Sequence, residues 1–257
     1  MGISIVFFVG MIISLLLVIC LVIVIQKNKS FYKSDTKVSV IILSHNYPKN
    51  LKKSIPILSK YKNINEIIIL HSDPKHFIKT KSKKVKNVND SENNKKYFTL
   101  RRFIHTDKCK NNTILLLDDD IIPSQELLLK MLSQYDKNTQ NCYGVISRLC
   151  DKTGYHTMSI HNNIVLSPIL LSSKSIFKSV WQGMISEHDK LQQVIKEKGN
   201  AEDIYFQFMF QKIYEQKPIV IHGDYKHLNK KNRYSVVHPQ KTKKLRNDFC
   251  KKLYKEN

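Results

Sequence analysis

Three short apolar runs do most to restrict what this chain can become. Lys37 to Leu43 reads KVSVIIL, Glu66 to Leu70 reads EIIIL, and Thr113 to Leu117 reads TILLL. None alternates apolar with polar, so each suits a strand covered on both faces. Between the first two, Asn50 to Lys60 carries Leu51, Ile55 and Leu58 at helical spacing. Strand, helix and strand in that order predict a parallel pair joined by a right-handed crossover. Farther along, Ser124 is placed to cap a helix through Tyr135, with Leu127, Leu128, Met131 and Leu132 inward. Tyr143 to Ser147 and Asn163 to Leu171 read as further strands, and Leu191 to Lys198 and Asp203 to Tyr214 as helices. Ile219 to Ile221 reads as a last short strand before a basic tail. Lys75 to Lys96, rich in Lys, Asn and Ser without a sustained period, reads as a solvated loop. This alternation predicts one α/β domain.

Ahead of it, Ile3 to Ile25 runs 23 positions without a charge, against the roughly 20 apolar residues a bilayer core requires. A cleaved signal peptide has a shorter apolar region, of about 7–15 residues, and a small-residue cleavage site. The expected organisation is a transmembrane anchor over 1–25, a polar stalk over 26–36 and the α/β domain over 37–257. Lys27, Lys29 and Lys33 follow the span, and the positive-inside rule would keep that side cytosolic. The five Cys, at 20, 109, 142, 150 and 250, show no CxxC spacing, which argues against a zinc finger or a disulfide scaffold.

Lys and Arg number 43 against 21 Asp and Glu, a net charge of +22. Such a balance raises nucleic acid as a partner. The Lys are spread along the chain, however, and Arg, which grips phosphate in a fork, occurs only at 101, 102, 148, 233 and 246. The charge therefore reads as solvated surface, with no nucleic-acid partner expected.

The chemically informative feature is Asp118-Asp119-Asp120, directly after TILLL. Three adjacent carboxylates repel one another and cannot all be buried unpaired. They can form a solvated turn that caps the next helix. They also stand at the carboxyl end of a central strand, where open α/β sheets bind ligands. On that reading Asp118 and Asp120 converge on a hard divalent cation, Mn²⁺ or Mg²⁺, that bridges a diphosphate and neutralises its charge. A second acidic pair, Glu202-Asp203, lies in GNAEDIYFQFMF; acids at a helix amino end are ordinary capping, and the pair gains chemical meaning only if that end faces the triplet.

These pieces, in this order, resemble the exostosin-type, or family 64, glycosyltransferases. VSVIILSHNYPKNLKKSI resembles the family's first strand and turn, NINEIIILHSDP its second strand, and RRFIHTDKCKNNTILLLDDDIIPS the segment from an Arg-Phe pair to the DxD. GVISR, NIVLSPILLSSKSIF and GNAEDIYFQFMF are similar to later elements. The resemblance implies a nucleotide-diphospho-sugar transferase (GT-A) fold, a Rossmann-like central sheet flanked by helices. It implies a retaining, metal-dependent enzyme that moves a sugar, an N-acetylhexosamine by expectation, from a UDP-sugar donor to a glycan or glycoprotein acceptor. By resemblance Asn46, Ser72 and Asp73 surround the base and ribose, and Arg102 approaches the diphosphate. Asp118, with Asp119, contacts the ribose, and Asp120 holds the metal. Asp203 sits beside the anomeric carbon with Glu202 in support, and Arg246 stabilises the leaving diphosphate. Such a role favours an endomembrane (ER or Golgi) lumen, against the positive-inside signal, and leaves room for a homodimer. The sequence departs from the family at Pro48, where Arg is frequent, and at Ala201, where the family has a Cys bridged to a C-terminal Cys; Cys250 is then expected to lack its partner. The alternatives are a basic membrane-tethered protein that binds polyanions, and a catalytically inactive family member.

Overall fold

The computed structural model describes residues 10–20, 32–44, 48–157, 161–228 and 239–255. Residues 10–20 form helix α1, with its large apolar side chains exposed. Among the described residues no helix is long and apolar enough to cross a membrane. The remainder of the expected 3–25 span lies outside them.

Four parallel strands bring their carboxyl ends to one row. β1 (Val38–Ser44), β2 (Ile64–His71), β3 (Val85–Asn89) and β4 (Thr113–Asp118) pair in the order β4-β1-β2-β3. Leu43 is aligned with Asp118, Ser44 with His71, and His71 with Asn89. Past β4 the seven-stranded sheet continues through β10 (Ile169–Ser173), β6 (Tyr143–Gly144) and β11 (Ile219–Val220). β10 is antiparallel to β4, so its amino end joins the same row. There the Asp118 amide donates to the Pro168 carbonyl at 3.3 Å.

The uninterrupted apolar runs are explained by two cores. Successive strand side chains point to opposite faces. Val40, Ile42, Ile67, Ile69, Leu115 and Leu117 pack with α2 (Pro48–Leu58) and α5 (Gln125–Tyr135). Ile41, Leu43, Ile68, Leu70, Ile114 and Leu116 face the other way, into the core shared with α4 (Arg101–Ile104), α6 (Lys174–Ser186), α7 (His188–Lys196) and α8 (Glu202–Tyr214). In that second core Phe103 of α4 stacks on Phe206 of α8, centroids 4.7 Å apart and planes within 9°. Phe177 of α6 leans on Phe206 at 5.5 Å.

The structure corrects several sequence expectations. The stretch 75–96 is not a loop: it holds the edge strand β3 and the helix α3 (Ser91–Tyr97). The strand expected over 143–147 divides into β6 and β7 (Ser147–Asp151), and that over 163–171 into β9 (Ile164–Val165) and β10. β7 turns back into β8 (Gly154–His156). The basic tail is the 17-residue helix α9 (Pro239–Lys255), whose Phe249, Cys250 and Leu253 are buried. Nor does Cys250 lack a partner: it is bonded to Cys150 of β7, 100 residues away. Cys109 and Cys142 stay free and buried, and burial pushes both thiols up to about 12.

A crosslink closing so long a loop restricts the unfolded chain by up to about 4–5 kcal/mol. Replacing Cys250 by Ser should therefore lower the unfolding free energy by about 2–4 kcal/mol, measured by urea unfolding of oxidised protein; coincident curves would contradict the bridge.

Candidate functional site

The acidic triplet is built by a strand that ends and a chain that immediately re-pairs. β4 stops at Asp118; after the turn, β5 (Ile121–Pro123) pairs antiparallel with β12 (Tyr225–His227). The Leu228 amide donates to the Asp120 carbonyl at 2.8 Å, which fixes the turn from the other side. Asp118 and Asp119 are half-buried and Asp120 is buried.

Arg102 ties this turn to the second acidic pair. Its side chain is only 4% exposed, because Phe103 anchors α4 in the aromatic stack. One terminal nitrogen donates to Asp118 Oδ1 at 2.9 Å and lies 3.9 Å from Glu202 Oε1. The other donates to the Ser167 carbonyl at 3.2 Å, and Nε to the Thr99 carbonyl at 3.3 Å. The Ser167 hydroxyl donates to the same Glu202 Oε1 at 2.9 Å. The two acidic elements, 82 positions apart between Asp120 and Glu202 in the chain, thus flank one guanidinium.

Glu202 and Asp203 open α8, after Ala201 in the left-handed region at φ 76°. Ala there is strained relative to Gly, and Gly199 at φ 74° precedes it. The chain is held in this path by Thr99, whose hydroxyl donates to the Gly199 carbonyl at 2.8 Å. Asp203 accepts its own helix amide from Ile204 at 2.9 Å through Oδ1. Its Oδ2 pairs with Arg246 of α9 at 3.3 Å. Arg246 also donates to Asn200 Oδ1 at 3.3 Å and to the Tyr155 hydroxyl at 3.1 Å.

Ser72 and Asp73, expected by resemblance around the base and ribose, follow directly after β2 in the same row of strand ends. The Ser72 hydroxyl donates to the Ser44 carbonyl at 3.0 Å and accepts from Arg101 at 3.0 Å. Asp73 accepts from the Lys75 amide at 2.9 Å and caps a short 3-10 turn. Arg101 is fully buried and pairs with Asp90 at 3.2 Å, while His105 shares the other Asp90 oxygen at 2.7 Å. Burial pushes the Asp90 carboxyl up, but His105, Asn93 and Arg101 outweigh it and hold it below the usual range. Asn46 lies outside the described residues.

Among the described residues no group of three or more His, Cys, Asp or Glu side chains converges as a ready cation cage. The triplet still suits a hard cation, since Mg²⁺-type ions usually take one or two carboxylates and complete their shell with phosphate oxygens and water.

Family membership follows from the sequence as a whole. The glycosyl transferase family 64 domain matches residues 38–256. The chain belongs to that family. Its central, mostly parallel α/β sheet is the one expected of that family. A crystal structure of GalNAc-T7 with UDP, GalNAc and Mn2+ is similar over 58% of this chain and 37% of that one, at 13% identity and a TM-score of 0.49. The chain thus spans little more than a third of that structure. No curated protein matches its sequence.

In this family 64 domain the acidic pair has a distinct electrostatic state. Burial, and then the charge of Asp203, push Glu202 up from 4.5 to about 7, against the pull of Arg102, Arg246 and Ser167. Arg246 behaves oppositely: burial would lower it, but Asp203 beside it holds it more firmly charged. Sequence inspection missed Arg101, Ser167, Asn200 and Tyr155. Arg101 differs from its neighbour only by one position, and the other three carry no motif.

The Glu202 shift has a sign that can be tested. A carboxyl raised in the folded state favours folding below its unfolded value, near 4.5, and that contribution is lost as pH rises through about 7. Wild type should therefore lose stability relative to Glu202→Gln between these limits, measured as the difference in urea midpoints; parallel pH profiles would contradict a buried, proton-bearing Glu202.

Proposed function

We propose that this domain has a GT-A fold and is a retaining, metal-dependent glycosyltransferase that moves an N-acetylhexosamine from its UDP donor to a glycan or glycoprotein. The observation that carries the reading is Arg102 between Asp118 and Glu202, since it makes the acidic turn and the acidic pair two walls of one site.

On this reading Asp120, with Asp118, holds Mn²⁺ or Mg²⁺, and the cation supplies charge neutralisation for the departing diphosphate. Asn46, Ser72 and Asp73 bind the base and ribose from the strand ends, and Asp119 adds a ribose contact beside Asp118. Arg102 keeps Asp118 and Glu202 in register. Asp203 orients the acceptor hydroxyl near the anomeric carbon, and Arg246 offers positive charge on the same side. The acceptor oxygen forms the new bond to the anomeric carbon as the bond to the diphosphate breaks on the same face. The hydroxyl proton passes to the leaving phosphate oxygen, giving glycoside and UDP with configuration retained. Glu202, neutral or charged near pH 7, tunes Asp203 electrostatically.

The Cys150–Cys250 bridge supports an oxidising compartment, and the exposed apolar side chains of α1 support a membrane anchor within 1–25. We propose an endomembrane lumen, behind a single N-terminal span, as the site of this activity.

UDP-N-acetylhexosamine hydrolysis with and without Mn²⁺ tests the reading. Wild type should turn over only with the cation, and Asp120→Ala or Asp203→Ala should lose about 100-fold or more while melting as folded proteins. Turnover unaffected by both substitutions would overturn the site. Salt-sensitive polyanion binding with no turnover would favour the basic binding protein instead.

A further inference from the structure

Arg246 reaches Asp203 from a helix whose placement depends on another element. Helix α9 packs chiefly against β8 and β7. The Cys150–Cys250 bond joins it to β7. Three residues earlier in the helix, Asn247 Oδ1 accepts the Tyr155 amide of β8 at 3.2 Å. Gly154, at φ 131°, lies so close to Asn247 that an added Cβ would overlap the Asn247 side chain, so hairpin and helix meet with no room to spare. The Tyr155 side chain is 7% exposed. Its hydroxyl accepts from Arg246 at 3.1 Å, and the guanidinium carbon lies 5.5 Å from its ring centroid. With Asn200 on Nε and Asp203 on the second terminal nitrogen, every nitrogen of the fork has a partner.

We propose that Tyr155, on the β7–β8 hairpin bonded to α9, is a positioning residue that sets the Arg246 guanidinium on Asp203. The inference rests on the glycosyltransferase reading of Asp203 and Arg246. Geometry makes the hydroxyl the operative group. An arginine side chain has several rotatable bonds, and its fork holds one direction only when its donors are matched. Asn200 fixes the inner nitrogen and Asp203 one end; Tyr155 fixes the remaining end. Without its oxygen the fork can turn about the other two contacts, and the positive charge leaves the position at which α8 presents its carboxylate. The bridge and Asn247 set where β8 meets α9, so Tyr155 acts from a fixed point rather than from a free loop.

The test is a pair of double-mutant cycles on the full, oxidised chain. In the first, Tyr155→Phe and Asp203→Asn are combined and unfolding is measured in urea. The effects should couple by about fivefold in the unfolding equilibrium constant, because both act on Arg246; additive effects would overturn the proposal whether or not the protein turns over a UDP-sugar. In the second, Tyr155→Phe should lower kcat for UDP-N-acetylhexosamine hydrolysis about tenfold with little change in donor KM, and should have no further effect in an Arg246→Ala background. An equal loss in both backgrounds, or wild-type kcat in Tyr155→Phe, would overturn it. Coupling in the first cycle with no wild-type turnover at all would leave Tyr155 as the positioning residue of Arg246 and reject the catalytic reading alone.

Discussion

The site depends on one buried guanidinium. Arg102 is tied to two backbone carbonyls, sits against Asp118 and lies within ion-pair distance of Glu202. A charge out of water is tolerated only when its donors are matched and its charge is answered. Both conditions are met here by elements that the chain visits far apart: the end of β4, the segment before β10 and the start of α8. Losing the Asp118 contact leaves the buried guanidinium without its hydrogen-bonded counter-charge, at a cost of up to about 3–5 kcal/mol. The aromatic stack explains why Arg102 stays there. Phe103 on Phe206 couples the short helix α4 to α8 directly beneath the polar contacts.

Around this centre the charge is apportioned rather than cancelled. Asp118 and Asp203 each face an arginine, whereas Glu202, between them, is pushed toward its neutral form by burial and by Asp203. The neighbouring row of strand ends repeats the device with Arg101, Asp90 and His105, and turns it on Ser72. The arginines are therefore structural members of the site as well as sources of positive charge. Most of the net +22 belongs to lysines outside this network.

The legible parts of the sequence were those where one physical signal dominated. KVSVIIL, EIIIL and TILLL were legible as strands because a doubly covered strand is almost wholly apolar; the exceptions Ser39 and Glu66 are buried and hydrogen-bonded to each other. The end of β4 was legible at the triplet because three adjacent carboxylates cannot continue a buried strand. β3 was not: Val85 and Val88 are separated by Lys86 and Asn87 on a half-buried sheet edge, which breaks both the continuous and the alternating pattern, and the surrounding Lys and Asn masked them. Helix α9 does contain Thr242, Phe249 and Leu253 at helical spacing, but lysines between them read as a solvated tail. The Cys150–Cys250 bond could not be read at all, since a separation of 100 residues obeys no local rule. Nor could the sequence show that Glu202 faces Asp118. That relation exists only through Arg102 and the closure of the sheet.

Whether Arg102 makes one site of the two acidic elements is decided by Arg102→Met, which keeps the stem and removes the fork. The quantity to measure is the affinity for UDP in the presence of Mn²⁺, by calorimetry, beside a melting curve that confirms folding. UDP binding should weaken by at least about tenfold, because Asp118 loses the partner that fixes it. Wild-type affinity in a folded Arg102→Met protein would contradict it.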